Sequence, residues 1–471
     1  MTKYDYLIID IGSTYTKQRL FKDCELAATV QSPTTVDNVY KGIKAGRDQI
    51  KEILNLEKIE VDNVLSSSSA AGGLRMVAIG YMARVTAKAA KEVAMNSGSK
   101  VLEIISNEDL PDYRIEILKE INPDIILLAG GTDYGDELSL VENAKLIVKS
   151  NVKGFVVIAG NIKAQGEAAN ILKEGNIAYI RVPNIMPNIH QLRVKEAREA
   201  IHREFIKQIT KAQGLSFLQK EITNDKIIPT PGAVLMASEL LAKGTCETKG
   251  IGDIIVVDLG GATTDVHSVI PGLSNLEDEE IGLIVSNEKQ VSYRTVEGNL
   301  GMRISAMGIL DSVNPKVILN KRGIEDKDIL QEFINYCESL ENNQMHISEN
   351  DKEYIFDTFL AETALEVALK RHAGYISTVA DPITGISPGM PVGRDLRNVS
   401  TIIAVGGIFA HRSIEEGKSI IKNALRDKGI SLLPGKYNIL IDESYILFTG
   451  GIILQMDEEY AFQVLKKQFK F

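Results

Sequence analysis

Two short stretches place carboxylates, glycines and hydroxyls at the ends of apolar strands. Residues 253–266 read DIIVVDLGGATTDV, and residues 7–17 read LIIDIGSTYTK. In each, a run of Val, Leu and Ile stops at an aspartate, one apolar residue follows, and glycine and small hydroxylated residues make the turn. Glycine lets backbone amides come close to an anion, because no Cβ stands in the way. The hydroxyls of Ser13, Thr14, Thr16, Thr263 and Thr264 can donate to phosphate oxygens without adding charge. A carboxylate beside a polyphosphate is repulsive alone and makes sense if it holds Mg²⁺, usually through water. The pattern therefore predicts a metal–phosphate site. Asp10, Asp258 and Asp265 would face the metal, and Gly12, Gly260 and Gly261 would cradle phosphate, with Lys17 in reach of it. Asp10 or Asp258 would orient the attacking water, since positioning and charge neutralisation do most of the work of phosphoryl transfer. The bland reading is a tight hairpin that needs small residues, and recurrence of the whole pattern weighs against it. Lys17 reads equally well as a solvent-facing strand lysine, and Asp265 as a hairpin cap.

The elements that must carry these residues follow from periodicity. Residues 4–33 predict a three-strand antiparallel meander, and a helix follows from Asp37, its N-cap, to about Leu54. Strands and helices then alternate. DNVLSSSS, LRMVAIG, KVLEIIS, DIILLAGG, GFVVIAGN and AYIRVPN read as strands, and ARVTAKAAKEVAMNSG and residues 190–212 as helices. Such alternation predicts parallel α/β layering. TPGAVLMASELLAKG predicts a helix starting just after Pro231. The second half restarts with an antiparallel hairpin at 253–270 and a third strand, KQVSYRTV. Helices dominate 300–375, TIIAVGG (401–407) is a buried strand, and a polar helix closes the chain. DPITGISPGMPVGRD (381–395) is a loop long enough for a hinge or lid. Each meander is followed by a strand ending in paired glycines, Gly130–Gly131 and Gly406–Gly407, which outlines an internal duplication.

Composition limits the remaining classes. The chain has 471 residues, 44% hydrophobic and 25% charged, enough for more than one domain. A net charge of −10 argues against nonspecific nucleic-acid binding. No run of eighteen apolar residues is present, so no membrane span is expected, and no signal peptide is readable at the start. Cys24, Cys246 and Cys337 give neither a disulfide framework nor a zinc cluster. They are expected as buried fillers in a cytoplasmic protein. EEGKS (415–419) mimics the end of a phosphate loop, but Arg412 stands where its first glycine belongs and the segment has a helical pattern. His267 reads as a satisfied strand histidine, and Arg294, Arg303 and Arg394 as packing or surface residues.

The two Asp-x-Gly hairpins and the later AVGG strand resemble the actin/Hsp70/sugar-kinase ATPase superfamily. In that resemblance Asp10–Lys17 matches the first phosphate motif, Asp258–Asp265 the second, and Ala404–Gly407 the adenosine motif. It implies a two-lobed actin/Hsp70-like α/β fold, built of duplicated ribonuclease H-like domains whose mixed sheets open on antiparallel meanders. The cofactors implied are ATP and Mg²⁺, pinched by one hairpin from each lobe. Gly406 and Gly407 would let adenine and ribose lie against the backbone, whereas Gly130 and Gly131 are read as structural or hinge residues.

A closer resemblance spans nearly the whole chain. DIGSTYTK, LLAGGTDYGD, VIAGNIKA, PTPGAVL, VVDLGGATTDVHSV, TVEGNLGMR and VGRDLRNVSTIIAVGG are similar to the GlmL/MutL family, accessory proteins of adenosylcobalamin-dependent mutases. That resemblance implies an ATP-dependent chaperone that releases damaged cobalamin so that intact cofactor can rebind. The client would be glutamate mutase, or ornithine or lysine aminomutase. A small-molecule kinase and an actin-like filament ATPase are the alternatives on the same scaffold. Residues 1–150 and 226–471 are expected as the two lobes, with 151–225 an elaboration of the first that helps form the partner surface. The sequence leaves open which mutase is served, and whether the chain acts alone, as a homodimer or with a second subunit.

Overall fold

In the computed structural model the described residues are 3–12, 15–34, 39–68, 75–81, 100–188, 193, 196–197, 199–201, 203–204, 221–223, 227–275, 291–380 and 386–471. The chain forms two compact units, Met1–Ala233 and Val234–Phe471.

The first unit opens on the expected meander, β1 (Lys3–Ile11), β2 (Tyr15–Lys22) and β3 (Glu25–Pro33). Helix α1 (Val39–Leu54) follows; Asp37, its expected cap, lies outside the described residues. Leu7, Ile9 and Ile11 alternate onto one face of β1 and share a core with Ile43 and Ile50 of α1. β4 (Glu60–Ser68) then runs parallel to β1, and β10 (Ile227–Pro229) parallel to β4, completing the order β10-β4-β1-β2-β3.

Between β4 and β10 the chain builds a second, wholly parallel sheet. Its strands are β5 (Arg75–Gly80), β6 (Lys100–Ser106), β7 (Ile125–Leu128), β8 (Phe155–Ile158) and β9 (Tyr179–Arg181), in the order β6-β5-β7-β8-β9. Helices α2 (Pro111–Ile121), α3 (Leu138–Ser150) and α4 (Gln165–Glu174) connect β6 to β9 in turn. The sheet is apolar on both faces, as parallel sheets are. Val77, Ile126, Val156 and Ile158 pack with Leu118, Leu140 and Ala168 of these helices. Met76, Leu127 and Val157 join the core that holds Ile9 and Ile43.

This architecture corrects the expected partition. The insertion into the first duplicated sheet begins at β5 rather than at residue 151, because β8 and β9 only continue a sheet that β5 starts. It also corrects the matching of the two glycine pairs. The first-unit counterpart of the 401–407 strand is β4, the parallel neighbour of β1, whereas Gly130–Gly131 end a strand of the inserted sheet. The 82–99 helix lies outside the described residues, as does most of 190–212, of which Ala197, Ala200 and Ile201 are buried.

Helix α5 (Thr230–Lys243) begins one residue before Pro231 rather than after it. The second unit repeats the meander with β11 (Ile254–Leu259), β12 (Thr264–Val269) and β13 (Ser292–Glu297). Helices α6 (Ala306–Ser312), α7 (Pro315–Asn320), α8 (Lys327–Asn342) and α9 (Asp351–His372) follow. A short ribbon of β14 (Tyr375–Ile376) and β15 (Pro391–Val392) closes the Pro/Gly-rich loop. β16 (Thr401–Gly406), α10 (Gly407–Ala410), α11 (Ile414–Ala424), β17 (Asn438–Ile441), α12 (Leu447–Ile453) and α13 (Glu458–Phe469) complete the chain. The order β13-β12-β11-β16-β17 repeats that of the first sheet, with β16 parallel to β11 and β17 parallel to β16. Two meander-opened sheets of one topology are the duplicated actin/Hsp70-like architecture. The false phosphate loop at 415–419 lies in α11, whose start is a capping box of Ser413 and Glu416.

A chain of hydrogen bonds fixes the far end of the second meander. Buried Arg394 donates from Nε to Ser268 Oγ at 2.7 Å, so the Ser268 hydroxyl is left to donate to His372 Nε2 at 2.8 Å. Nδ1 of His372 then carries the proton toward Thr295 Oγ1 at 2.8 Å. The ring is neutral in this arrangement, and burial and then Arg394 hold its pKa well below the usual histidine value. His267 is also depressed by burial, then by Arg294 and His372. It is not the satisfied strand histidine expected, since neither ring nitrogen has a partner among the described residues. Both depressions act in one direction. Above about pH 6.5 they do not affect stability; below it the unfolded chain takes up protons that the native chain refuses. Stability is expected to fall by about 1.4 kcal/mol per pH unit for each histidine. Urea unfolding between pH 7.5 and 5.5 measures this, and His267→Leu should remove its share of the slope.

Candidate functional site

In the first unit the site grows from strand register. Asp10 on β1 lies opposite Lys17 on β2 and beside Ser67 on parallel β4. Its buried Oδ1 accepts from Ser67 Oγ at 2.7 Å and from Thr230 Oγ1, at the end of β10, at 2.5 Å. Three strand ends thus converge on one carboxylate. Among the described residues its hydrogen-bond partners are hydroxyls, and no salt bridge to it is found. A buried carboxylate with hydroxyl donors and no cation fits a divalent-ion site. Gly12 N–H donates to Tyr15 O at 3.0 Å and closes the hairpin, and a Cβ on Gly12 would meet that same oxygen at 2.5 Å.

Thr16 does not serve the turn. Pleating puts Asp10 and Lys17 on one face and Ile11 and Thr16 on the other. Thr16 is buried, and its hydroxyl pairs with Thr34 at 3.0 Å. Ser13 and Thr14 lie outside the described residues.

The second unit repeats the geometry with different partners. Asp258, half-buried, lies opposite Asp265, and Gly260 N–H donates to Thr263 O at 2.9 Å. Thr264 is the counterpart of Thr16 and is likewise turned inward, where its hydroxyl donates to Leu300 O. Asp265 sits in a buried ion pair: Arg294 donates from Nε at 2.8 Å and from Nη2 to Oδ1, and Thr263 Oγ1 donates to Oδ2 at 3.2 Å. Both its oxygens are engaged, and Arg294 neutralises its charge. The geometry therefore engages Asp265 in holding the hairpin; Asp258 is the other carboxylate of this turn.

The hairpin tip is braced from behind. Gly260 O accepts from Met302 N at 3.0 Å, and Gly261 O from Arg303 N and Ile304 N, each at 2.8 Å. Arg303 is itself clamped by Asp357 at 3.0 and 2.9 Å, and so is not a site group. Gly406 lies opposite Leu259, with φ +129°, and a Cβ there would run into the Leu259 carbonyl. Gly407 heads α10 and remains half-buried. Gly406→Val is expected to destabilise the second unit by about 2 kcal/mol or more, through backbone strain and overlap with β11. Urea unfolding checks this, with Gly407→Ala, which meets Tyr445 at an ordinary 3.4 Å, as the mild control.

Ser67 and Thr230 were not legible as site residues, although a run of four serines at a strand end, residues 66–69, is an available signal. The cysteines are not uniformly buried fillers: Cys337 is buried, but Cys24 is half-buried and Cys246 exposed. Among the described residues no three His, Cys, Asp or Glu side chains gather as a metal cluster, and no helix is long and apolar enough to cross a membrane.

Residues 6–469 match the family described as MutL protein. The chain is also 36% identical over 469 residues to "Protein MutL" of Clostridium tetanomorphum, covering 98% of each. The chain belongs to the MutL family. Among solved structures, this MutL-family chain is similar to a nucleotide-free acetone carboxylase, with TM-score 0.40, 13% identity, and coverage of 95% of this chain and 70% of that one. It is similar also to a ligand-bound xylulose kinase of Lactobacillus acidophilus, with TM-score 0.34, 11% identity, and coverage of 98% and 92%. Within the MutL-family chain, the pair of Asp-x-Gly turns is what the two sheets hold in common.

Proposed function

We propose that this chain is an ATP-driven reactivating factor that releases damaged cobalamin from an adenosylcobalamin-dependent mutase or aminomutase. The observation that carries the nucleotide part is the duplicated turn, with Asp10 and Asp258 at equivalent register positions and a hairpin closed by a glycine amide beside each. Family membership and the motif resemblance support the remodelling part. Asp10 in the first unit and Asp258 in the second are each candidates to hold magnesium, which usually takes one or two carboxylates plus substrate phosphates rather than a dedicated protein cage. When bound, the ion would neutralise charge on the β- and γ-phosphates. Gly261 would offer its amide to phosphate; Gly12 and Gly260, whose amides close the hairpins, would keep the turns free of side chains so that phosphate can approach, and Gly406 and Gly407 would offer a bare backbone to the nucleoside. Work on a client requires that the client bind the ATP and ADP states with different affinity.

The test is ATP turnover with and without the purified mutases. Release of free phosphate, stimulated by a mutase holding hydroxocobalamin, is expected. Phosphoryl transfer to a small molecule would replace this reading with the kinase, and ATP-dependent pelleting would replace it with the filament. Chelating magnesium is expected to abolish turnover, and adding it back should restore the rate fully. Undiminished turnover in excess chelator would remove the metal from the account.

A further inference from the structure

At the carboxyl edge of the inserted parallel sheet, the described loops after β6, β7 and β8 expose large apolar side chains. Leu110, which precedes α2, is 75% exposed; Tyr134, after β7, is 74%; and Leu138, the first residue of α3, is 73%. Tyr113 in the first turn of α2 and Ile162 after β8 are exposed beside them. Side-chain ties make these loops one surface. Arg114 Nη1 donates to Asn107 Oδ1 at 3.3 Å and to Asn143 Oδ1 at 2.6 Å, joining the loop before α2 to the second turn of α3. Buried Asn161 accepts from Tyr134 N at 3.3 Å and donates to Asp136 O at 3.0 Å. Ile162 N donates to Asp133 Oδ1 at 3.1 Å, which also accepts from Asn184 Nδ2 at 3.0 Å.

The polar groups of these loops are thus engaged with one another, and large apolar side chains face outward. Tyr134 is held at φ +63°, with Lys163 Nζ over its ring at 4.9 Å. Pre-ordered tyrosines of this kind are enriched in the cores of protein interfaces, since little side-chain entropy remains to be lost. The rim is acidic. Asp109 and Asp136 accept from the Ser106 and Ser139 amides, while Glu108, Asp112 and Glu137 are exposed.

We propose that this edge docks a partner protein presenting an apolar patch ringed by Lys and Arg. A second copy of this chain would set acidic rim against acidic rim, which disfavours self-association through this face. Only the identity of the partner, the mutase, rests on the function proposed above.

The experiment uses the full chain carrying benzoylphenylalanine at position 134, or at exposed Ile347 of the second unit as control. Each is mixed with glutamate mutase and with the ornithine and lysine aminomutases. Binding is also measured for Tyr134→Asp/Leu138→Lys and for Glu108→Lys/Asp112→Lys/Glu137→Lys, with unchanged ATP turnover as the control for folding. Expected are a crosslink to one mutase from position 134 alone, affinity at least 10-fold weaker in the first variant, and slower, less salt-sensitive association in the second. A mutase that binds wild type and Tyr134→Asp/Leu138→Lys equally overturns the surface and leaves the function standing. A crosslink to a second copy of this chain overturns it in favour of self-association. If no mutase binds wild type, the client reading fails and the position-134 crosslink in host extract decides the surface. A salt-sensitive adduct on a basic-rimmed apolar patch supports it, and no adduct above the Ile347 control overturns it.

Discussion

Asp10→Asn is expected to lower ATP turnover about 100-fold or more, as loss of one preorganised charge at a transferring phosphate does. The substitution keeps an oxygen for the Ser67 and Thr230 hydroxyls, so the converging ends of β1, β4 and β10 stay tied while the charge is removed. Asp258→Asn is expected to act in the same sense from the second turn. Thermal unfolding should move little in either variant, which separates loss of chemistry from loss of fold. Wild-type turnover in both would remove both turns from the account. Ser67→Ala and Thr230→Val should give smaller losses, because they leave the carboxylate in place but less constrained.

Arg294→Met is expected to destabilise the second unit by about 3–5 kcal/mol, because it strands the Asp265 carboxylate in a buried setting without its counter-charge. Replacing both members, as Arg294→Met/Asp265→Leu, should recover most of that loss, since a buried pair exchanged for apolar groups is often near neutral in stability. Urea unfolding of the two variants and wild type measures the difference. The double variant also decides between two roles for Asp265. Retained ATP turnover is expected if Asp265 only holds the hairpin, and collapse of turnover in a stable double variant would return it to the metal.

Strand ends and turn chemistry carried most of what the sequence revealed. Both meanders, β1–β3 and β11–β13, were legible because apolar alternation and an Asp-x-Gly turn are local signals. The matching of Gly130–Gly131 with Gly406–Gly407 went wrong because sequence shows a strand's ending and not its neighbour: parallel pairing of β4 with β1 is a long-range fact. The inward turn of Thr16 and Thr264 follows from two-residue pleating once Asp10 and Asp258 are placed, and so was available from register. The engagement of Asp265 by Arg294 was not, because β13 is separated from the hairpin by residues 270–291, and nothing local marks which strand supplies the counter-charge. The inserted sheet was read strand by strand but not as a unit, since its first strand, β5, sits inside the order β6-β5-β7-β8-β9, between β6 and β7, rather than at an edge.

The most direct measurement is recovery of a mutase inactivated by bound hydroxocobalamin. Glutamate mutase, and separately the ornithine and lysine aminomutases, would be given this chain, magnesium-ATP and fresh adenosylcobalamin. Cobalamin release would be followed by absorbance and activity by turnover. Recovery for one enzyme with ATP, but not with a nonhydrolysable analogue or with the Asp10→Asn chain, is the predicted result. Steady ATP hydrolysis with no cobalamin released from any of the three would contradict the account.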